Sequence, residues 1–181
     1  MKKIFDNIIS WLKNHNRDVL LNHLLDGSVE AYNKILNDTG LKIPNELVEF
    51  YKICQGSAIK TGDKLDDFHF FPGFYFIPIE RAIFFYNNYK DDKRWNKNWF
   101  PIFANGGGDF YCVDCSDEHK SSIIEFMLDF DIEVVHESVT NMLKTIDTCY
   151  KKGIYYLDDE NYLEMDYDKE EIVRKRINEY V

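Results

Sequence analysis

The chain has 181 residues, of which 45% are hydrophobic and 16% aromatic, so it can bury a substantial core and is not disordered as a whole. Its net charge is −10, and such a charge disfavours binding to nucleic acid or to an anionic membrane. Residues 1–108 carry 14 Lys and Arg against 13 Asp and Glu, whereas residues 109–181 carry 8 against 19. This acidic second part would attract a basic partner, although acidity also serves simply to keep a protein soluble.

The N-terminal stretch predicts an amphipathic helix rather than a signal peptide. Ile4, Ile8 and Leu12 recur every four residues, while polar residues interrupt the apolar core that a signal peptide would need. No stretch has the composition of a transmembrane span. The four cysteines fit a reducing compartment, so we expect a cytoplasmic protein that begins with a helical extension over residues 1–27.

The next part, residues 28–153, is predicted to be the folded domain, and it opens with two helices. Ser28 is a good N-cap for the first helix, which ends at Gly40. Pro44 suits the first turn of the second helix, and Gly56 follows its end.

Strands and helices then alternate irregularly. An aromatic block predicts two strands joined by a turn at Pro72-Gly73, and Pro78 opens a helix over residues 79–89. A hairpin follows, then a strand near residues 122–127 and a helix over residues 138–152. This order predicts an α+β fold, with a central antiparallel or mixed β-sheet and helices packed around it.

The predicted hairpin contains the residues with the most distinctive spacing. Trp99 and Pro101 are assigned to core packing and to a strand-edge stop. The following glycine run invites a phosphate-loop reading, but a phosphate loop would continue with Lys and Ser or Thr, where this chain has an acid. We therefore favour a turn that needs positive φ angles. The residues concerned are Gly106, Gly107, Gly108 and Asp109.

No motif predicts catalysis, a metal or a cofactor. Cys112 and Cys115 form a lone CxxC, which could indicate redox work or zinc, but no second pair completes a site, and a buried strand thiol is preferred. The acids after Asp109 do not have the spacing of a calcium loop. No histidine lies in a metal-binding motif or beside a nucleophile motif, so we expect neither enzyme activity nor a cofactor.

The C-terminal segment, residues 154–181, is strongly acidic and ends in a predicted short helix. Residues 158–171 contain eight acids and one lysine, which predicts an exposed segment. Four tyrosines lie among these charges and are candidates either for anchoring a partner or for packing back onto the domain. They are Tyr155, Tyr156, Tyr162 and Tyr167.

Three stretches together resemble the SUKH superfamily, which includes the fungal Smi/Knr regulators and many bacterial immunity proteins. The first runs from Thr39 to Gly56, with Gln55 where the family usually has Asn, and the second is Pro72–Ala82. The third and most specific runs from Trp99 to Asp114 and combines Trp-x-Pro, the glycine run and a closing Asp. The resemblance covers roughly residues 28–152 and leaves both terminal segments outside it.

This resemblance implies an immunity protein that binds and neutralises a protein toxin, for example a nuclease. A nuclease holds phosphate with Lys and Arg, so the acidic part of this chain could cover that basic surface, with no direct contact to nucleic acid or membrane. The alternative is an intracellular regulatory or scaffolding domain without a toxin partner. The candidate partner-binding residues are Asp114, Asp117, Glu118, Asp129, Asp131, Glu133, Asp158, Asp159, Glu160 and Tyr162.

Overall fold

The computed structural model describes all residues, 1–181, as seven α-helices, ten β-strands and one 3₁₀ turn. The helices are α1 Lys2–Asn14, α2 Asp18–His23, α3 Ala31–Thr39, α4 Asn45–Tyr51, α5 Ile79–Tyr89, α6 Val139–Lys151 and α7 Tyr167–Ile177. The strands are β1 Leu24–Asp26, β2 Cys54–Ser57, β3 His69–Phe71, β4 Phe74–Phe76, β5 Trp99–Ala104, β6 Phe110–Asp114, β7 Ile123–Phe126, β8 Glu133–His136, β9 Tyr155–Leu157 and β10 Leu163–Met165. The 3₁₀ turn covers Leu65–Phe68.

A six-stranded antiparallel sheet forms the centre of the molecule. Its strands lie in the same order in space as in the chain, from β3 to β8, and each pairs with the strand before it. Two further antiparallel pairs, β1 with β2 and β9 with β10, lie outside this sheet. The expected α+β class is therefore confirmed.

Aromatic side chains pack on both faces of the sheet. On one face Phe76 lies between Phe50 of α4 and Phe103 of β5, with ring centroids 4.7 and 5.0 Å away. On the other face Phe110 of β6 lies 5.1 Å from both Phe85 and Tyr89 of α5. Because both faces are covered there, β4 and β5 are apolar along their whole length instead of alternating with polar residues.

Several local features follow from the sequence as expected. Gly40 ends α3 with φ 78°, Ser138 caps α6 by accepting a hydrogen bond from the amide of Asn141, and Pro78 precedes α5. The glycine run forms the β5–β6 turn, where Gly106 and Gly108 take φ angles of 84° and 109°. Glycine adopts such positive φ angles without steric cost.

Other local features differ from the sequence expectation. Ser28 does not cap α3, which begins at Ala31 after Glu30; the Ser28 hydroxyl instead accepts a hydrogen bond from the Glu30 amide. Pro101 is not a strand-edge stop, since it lies inside the central strand β5. The pairing of β5 with β6 shifts between Pro101 and Phe103, and this irregularity accommodates a residue without an amide hydrogen.

None of the helices is both long and apolar enough to cross a membrane.

Gly56 in β2 provides a direct test of the packing between β2 and the segment that follows β4. It has φ 104°, and a Cβ atom there would collide with the backbone carbonyl of Ile77. We expect Gly56→Ala to lower the free energy of unfolding by about 3 kcal/mol or more, measured by denaturant titration.

Gly62 is the matched control because it has φ 96° but no atom lies within 4 Å of an added Cβ. Gly62→Ala should therefore cost only the backbone strain, about 1–2 kcal/mol. Equal losses for the two variants would show that the close approach to Ile77 does not matter.

Candidate partner-binding surface

The strand order of the sheet decides at which end each acidic loop lies. In an antiparallel meander successive connections alternate between the two ends. The β3–β4 turn at Pro72-Gly73, the β5–β6 turn and the β7–β8 loop therefore share one end, while the β6–β7 loop lies at the other. The candidate acids of the β6–β7 and β7–β8 loops accordingly do not form one patch.

The β7–β8 loop, residues 127–132, is fixed at its base and exposed at its tip. The Asp109 carboxylate accepts a hydrogen bond from the Leu128 amide at 2.8 Å, and Arg94 donates to the Leu128 carbonyl at 2.8 Å. Beyond Leu128, the ring of Phe130 is 78% exposed, with Asp129 and Asp131 exposed on either side of it. The loop thus presents an aromatic side chain between two carboxylates on an anchored base.

Strand β8 extends this exposed surface. Its first two residues, Glu133 and Val134, are exposed, whereas Val135 and His136 are buried. As β8 is the last strand of the sheet, one side of it carries no further strand. We call the exposed residues of this region the β8 surface, defined as Asp129, Phe130, Asp131, Glu133 and Val134.

Most of the candidate acids in the β6–β7 loop form hydrogen bonds inside the loop. Asp114 accepts a hydrogen bond from the Ser116 amide and Asp117 accepts one from the His119 amide, both at 2.9 Å. The side chain of Glu118 is exposed, and its backbone carbonyl accepts from the Asn45 amide. Two of the three acids here therefore shape the loop, and Glu118 is the one whose carboxylate faces solvent.

The candidate acids of the C-terminal segment lie in the tight turn between β9 and β10. Asp158 accepts hydrogen bonds from the amides of Glu160 and Tyr162 at 2.9 and 2.8 Å, so its carboxylate stabilises the turn. Asp159 and Glu160 are exposed at its tip. The Tyr162 hydroxyl lies 3.1 Å from the Lys64 ammonium, which also sits 4.2 Å from the tyrosine ring.

The C-terminal segment folds back onto the domain, so the expectation that residues 158–171 form an exposed stretch is wrong in part. Tyr155, Leu163 and Val173 are buried, and α7 packs against α6. Tyr156 and Tyr167 remain 43% and 71% exposed. Of the four candidate anchors, only these two therefore present much ring surface to solvent.

A buried polar contact fastens the end of α7 to the sheet. Asn178 is buried, and its amide lies 3.2 Å from Nδ1 of His136, while its carbonyl oxygen accepts from the Glu137 amide. Asn141 of α6 donates to the carbonyl of Ile177. Burial, with a smaller contribution from the positive charge of Arg174, lowers the pKa of His136 to about 3.

The four thiols are free and lie in the core. Cys112 is fully buried in β6, as the sequence suggested, and Cys115 is buried just after it. Burial raises the pKa of both thiols well above the usual value. Nowhere do three His, Cys, Asp or Glu side chains meet in a way that could hold a metal ion.

Phe130 is the feature that the sequence reasoning missed, because its exposure depends on the position of the β7–β8 loop. Its neighbours Asp129 and Asp131 were singled out for their charge. Tyr180, which the sequence places with the predicted C-terminal helix, lies beyond the end of α7 and is 89% exposed, and its amide donates to Glu137.

One comparison with known proteins finds a match. The model of the SMI1 / KNR4 family (SUKH-1) matches residues 28–145, which is more than half of the chain. No curated protein matches the chain. The match begins at the expected residue and leaves α1, α2, β1, β9, β10 and α7 outside it.

The burial of His136 beside Asn178 predicts how the free energy of unfolding changes with pH. A histidine whose folded-state pKa lies below its unfolded value near 6.5 stabilises the fold above pH 6.5, and this contribution is lost as the pH falls towards the folded value of about 3. We expect acidification from pH 7 to pH 4.5 to lower the free energy of unfolding through this group by about 2–3 kcal/mol.

The variant His136→Asn should flatten this part of the pH dependence, whatever its effect at pH 7, when unfolding is followed by denaturant titration at both pH values. His119→Asn, which changes an exposed histidine, should retain the wild-type dependence. An unchanged slope in His136→Asn would assign the acid sensitivity to other groups.

Proposed function

Because the chain belongs to the SMI1/KNR4 (SUKH-1) family, we propose that it is an immunity protein that binds and neutralises a basic protein toxin, such as a nuclease. Binding alone would inhibit such a toxin, because a partner that covers the substrate-binding surface of an enzyme excludes the substrate. We assign the main contact to the β8 surface.

The observation that carries this proposal is the exposed ring of Phe130. Protein interfaces derive most of their affinity from a few buried aromatic or arginine anchors, surrounded by residues that exclude water. Phe130 is 78% exposed and lies two residues beyond Leu128, whose backbone is held by Asp109 and Arg94. An anchor on a supported loop loses less conformational entropy on binding than one on a free segment.

The surrounding charges favour a basic partner. Asp129 and Asp131 flank Phe130 in the chain and Glu133 follows at the start of β8, and all three lie in the part of the chain that carries the whole negative excess. A nuclease concentrates Lys and Arg where it holds phosphate, which makes its active surface complementary to this one. Charges at the rim accelerate association more than they tighten the complex, whereas a central aromatic residue slows dissociation.

The interior of the domain supports a binding role over a catalytic one. The thiols that could act as nucleophiles are buried with raised pKa values, and the pKa of the buried His69 is lowered, chiefly by desolvation. By contrast, the side chains that reach solvent at the β8 surface are carboxylates, a phenyl ring and an aliphatic chain. This set supplies attraction and apolar contact to a protein partner.

The partner to test first is the toxin domain encoded by the neighbouring gene. Phe130→Ala should weaken its binding by about 2 kcal/mol, or roughly thirtyfold, chiefly through faster dissociation in surface plasmon resonance. Phe84→Ala is the matched control, because that ring is 51% exposed on α5 and lies outside the β8 surface. Similar losses of affinity for both variants, or no loss for Phe130→Ala, would show that Phe130 is not the anchor of the interface.

The charge contribution has its own test with the same partner. The double variant Asp129→Asn with Asp131→Asn should slow association several-fold at low salt and reduce the dependence of the association rate on ionic strength. Asp117→Asn with Glu118→Gln changes two acids at the opposite end of the sheet and is expected to have a smaller effect. A larger effect of the second pair would place the interface at the other end.

Protection of cells that express the toxin domain completes the test of function. The wild-type chain should protect them, and Phe130→Ala should protect less at equal expression. If the neighbouring domain does not bind at all, a regulatory or scaffolding role becomes the better account, and a pull-down from lysate would identify its partners.

A further inference from the structure

The C-terminal segment closes over one face of the sheet and leaves a pocket beneath it. The pocket has a volume of about 570 Å³, which lies in the usual range for ligand-binding pockets. One wall comes from the sheet and the other from β9, β10 and α7. The second wall lies outside the residues that match the family, so the pocket is a feature of this chain beyond the shared domain.

Aromatic rings at approximate right angles form the floor of the pocket. Phe74 and Tyr111 have ring centroids 4.7 Å apart at 83°, and Phe71 lies 5.2 Å from Tyr111 at 85°. Phe71 and Phe74 are stacked on each other. Phe71 and Phe74 are almost fully buried, so the half-buried Tyr111 is the ring that this corner offers to a planar or cationic group, which aromatic rings attract electrostatically.

One polar side chain in the pocket has no partner. His69 is only 9% exposed and lines the pocket, yet its ring makes no hydrogen bond, and its nearest charged neighbour is the Asp66 carboxylate at 3.8 Å. Desolvation lowers the pKa of His69, so at neutral pH the ring is uncharged and keeps one nitrogen free to accept a hydrogen bond. A ring nitrogen of a residue that lines the pocket can accept a hydrogen bond from a ligand.

The pocket also has more negative than positive charge. Its lining contains Asp66, Glu125, Glu164, Glu170 and Glu171 against one cation, Arg174. Arg174 is engaged by Glu170 at 3.4 Å, and Glu171 pairs with Lys175 outside the pocket. Glu125 accepts a hydrogen bond from the Tyr111 hydroxyl at 2.6 Å and interacts with the charge of Arg174, but the salt bridge of Arg174 is made with Glu170.

We propose that this pocket receives an arginine side chain of the partner protein, whose guanidinium group stacks on the aromatic floor and donates hydrogen bonds to Glu125 and His69. The planar guanidinium has five N–H donors, stacks on rings and is less strongly hydrated than an ammonium group. The pocket lies at the same end of the sheet as the β7–β8 loop, because Pro72-Gly73 and Met127 line it. The inference rests on the proposed function for the identity of the partner, but the chemistry of the pocket stands without it.

Other ligand classes fit the pocket less well. Phosphate or a carboxylate would meet Glu125 and Glu170, and a purely apolar group would offer no hydrogen bond to His69 and no charge to Glu125. A lysine ammonium would satisfy the charge, but it is a point charge that cannot stack as a plane. Arginine alone supplies both the charge and the flat donor surface.

The chain contains its own probes for a direct test. It has four methionines, of which Met127 and Met165 line the pocket while Met142 is buried in α6. With methyl-¹³C-labelled methionine, titration with N-acetyl-arginine methylamide should shift the methyl signals of Met127 and Met165 and leave that of Met142 in place. The isosteric uncharged N-acetyl-citrulline methylamide should shift neither, and N-acetyl-lysine methylamide should require several-fold more ligand.

A pair of variants separates the pocket from the general acidity of the chain. Glu125→Gln keeps an oxygen for the Tyr111 hydroxyl but removes the charge, so it should weaken the arginine titration by about tenfold. Glu80→Gln, an exposed residue at the start of α5, should leave the titration unchanged. The Met142 signal and the thermal midpoint report whether each variant remains folded.

The proposal is overturned if no pocket methyl shifts, if citrulline or lysine is as effective as arginine, or if Glu80→Gln weakens the titration as much as Glu125→Gln. None of these outcomes depends on a toxin, because the titration uses only the chain and the capped amino acids. Failure of the toxin-binding test would therefore leave this result unaffected, and a failed titration would leave the role of Phe130 unaffected.

Discussion

The antiparallel order of the six-stranded sheet is the constraint on which the rest of the structure depends. Since each strand pairs with the one before it, connections alternate between the two ends. The acids of the second half of the chain are thereby distributed to opposite ends, instead of forming the single patch that their closeness in sequence suggests. The order of the strands brings Phe130, Met127 and the Pro72-Gly73 turn to the same end of the sheet.

Burial on both faces of the sheet explains where the charges can lie. Phe76 and Phe103 occupy one face and Phe110 the other, which leaves little room for solvated groups along the strands. Glu125 is the exception within β7, and its carboxylate is satisfied in part by the Tyr111 hydroxyl at the edge of the pocket. Most other acids are displaced to loops and to the C-terminal segment, where water or a partner solvates them.

The sequence predicted the elements that local signals define. The bounds of α5 follow from Pro78 and the periodicity after it, α6 begins after the cap Ser138, and the glycine run marks the β5–β6 turn. Strand β8 was missed because Glu133-Val134-Val135-His136 is short and half exposed, so its strand character comes from pairing with β7. The β9–β10 hairpin was hidden among charges for a similar reason.

The pocket could not be predicted from the sequence because the residues that form its two walls are far apart in the chain. His69, Tyr111 and Arg174 meet only when α7 docks on the sheet, and that docking depends on long-range contacts such as Asn178 with His136. Acidic residues could be counted from the sequence, whereas the exposure of Phe130 required the position of its loop. The sequence showed where the charges lie along the chain, but it did not show which apolar side chains would be exposed.

Hydrogen–deuterium exchange on a complex with the proposed toxin partner tests most directly where the partner binds. The account predicts slower exchange for residues 127–135 and for the segments lining the pocket, β10 and the start of α7, with little change in residues 115–121. Protection confined to residues 115–121, at the opposite end of the sheet, would contradict it.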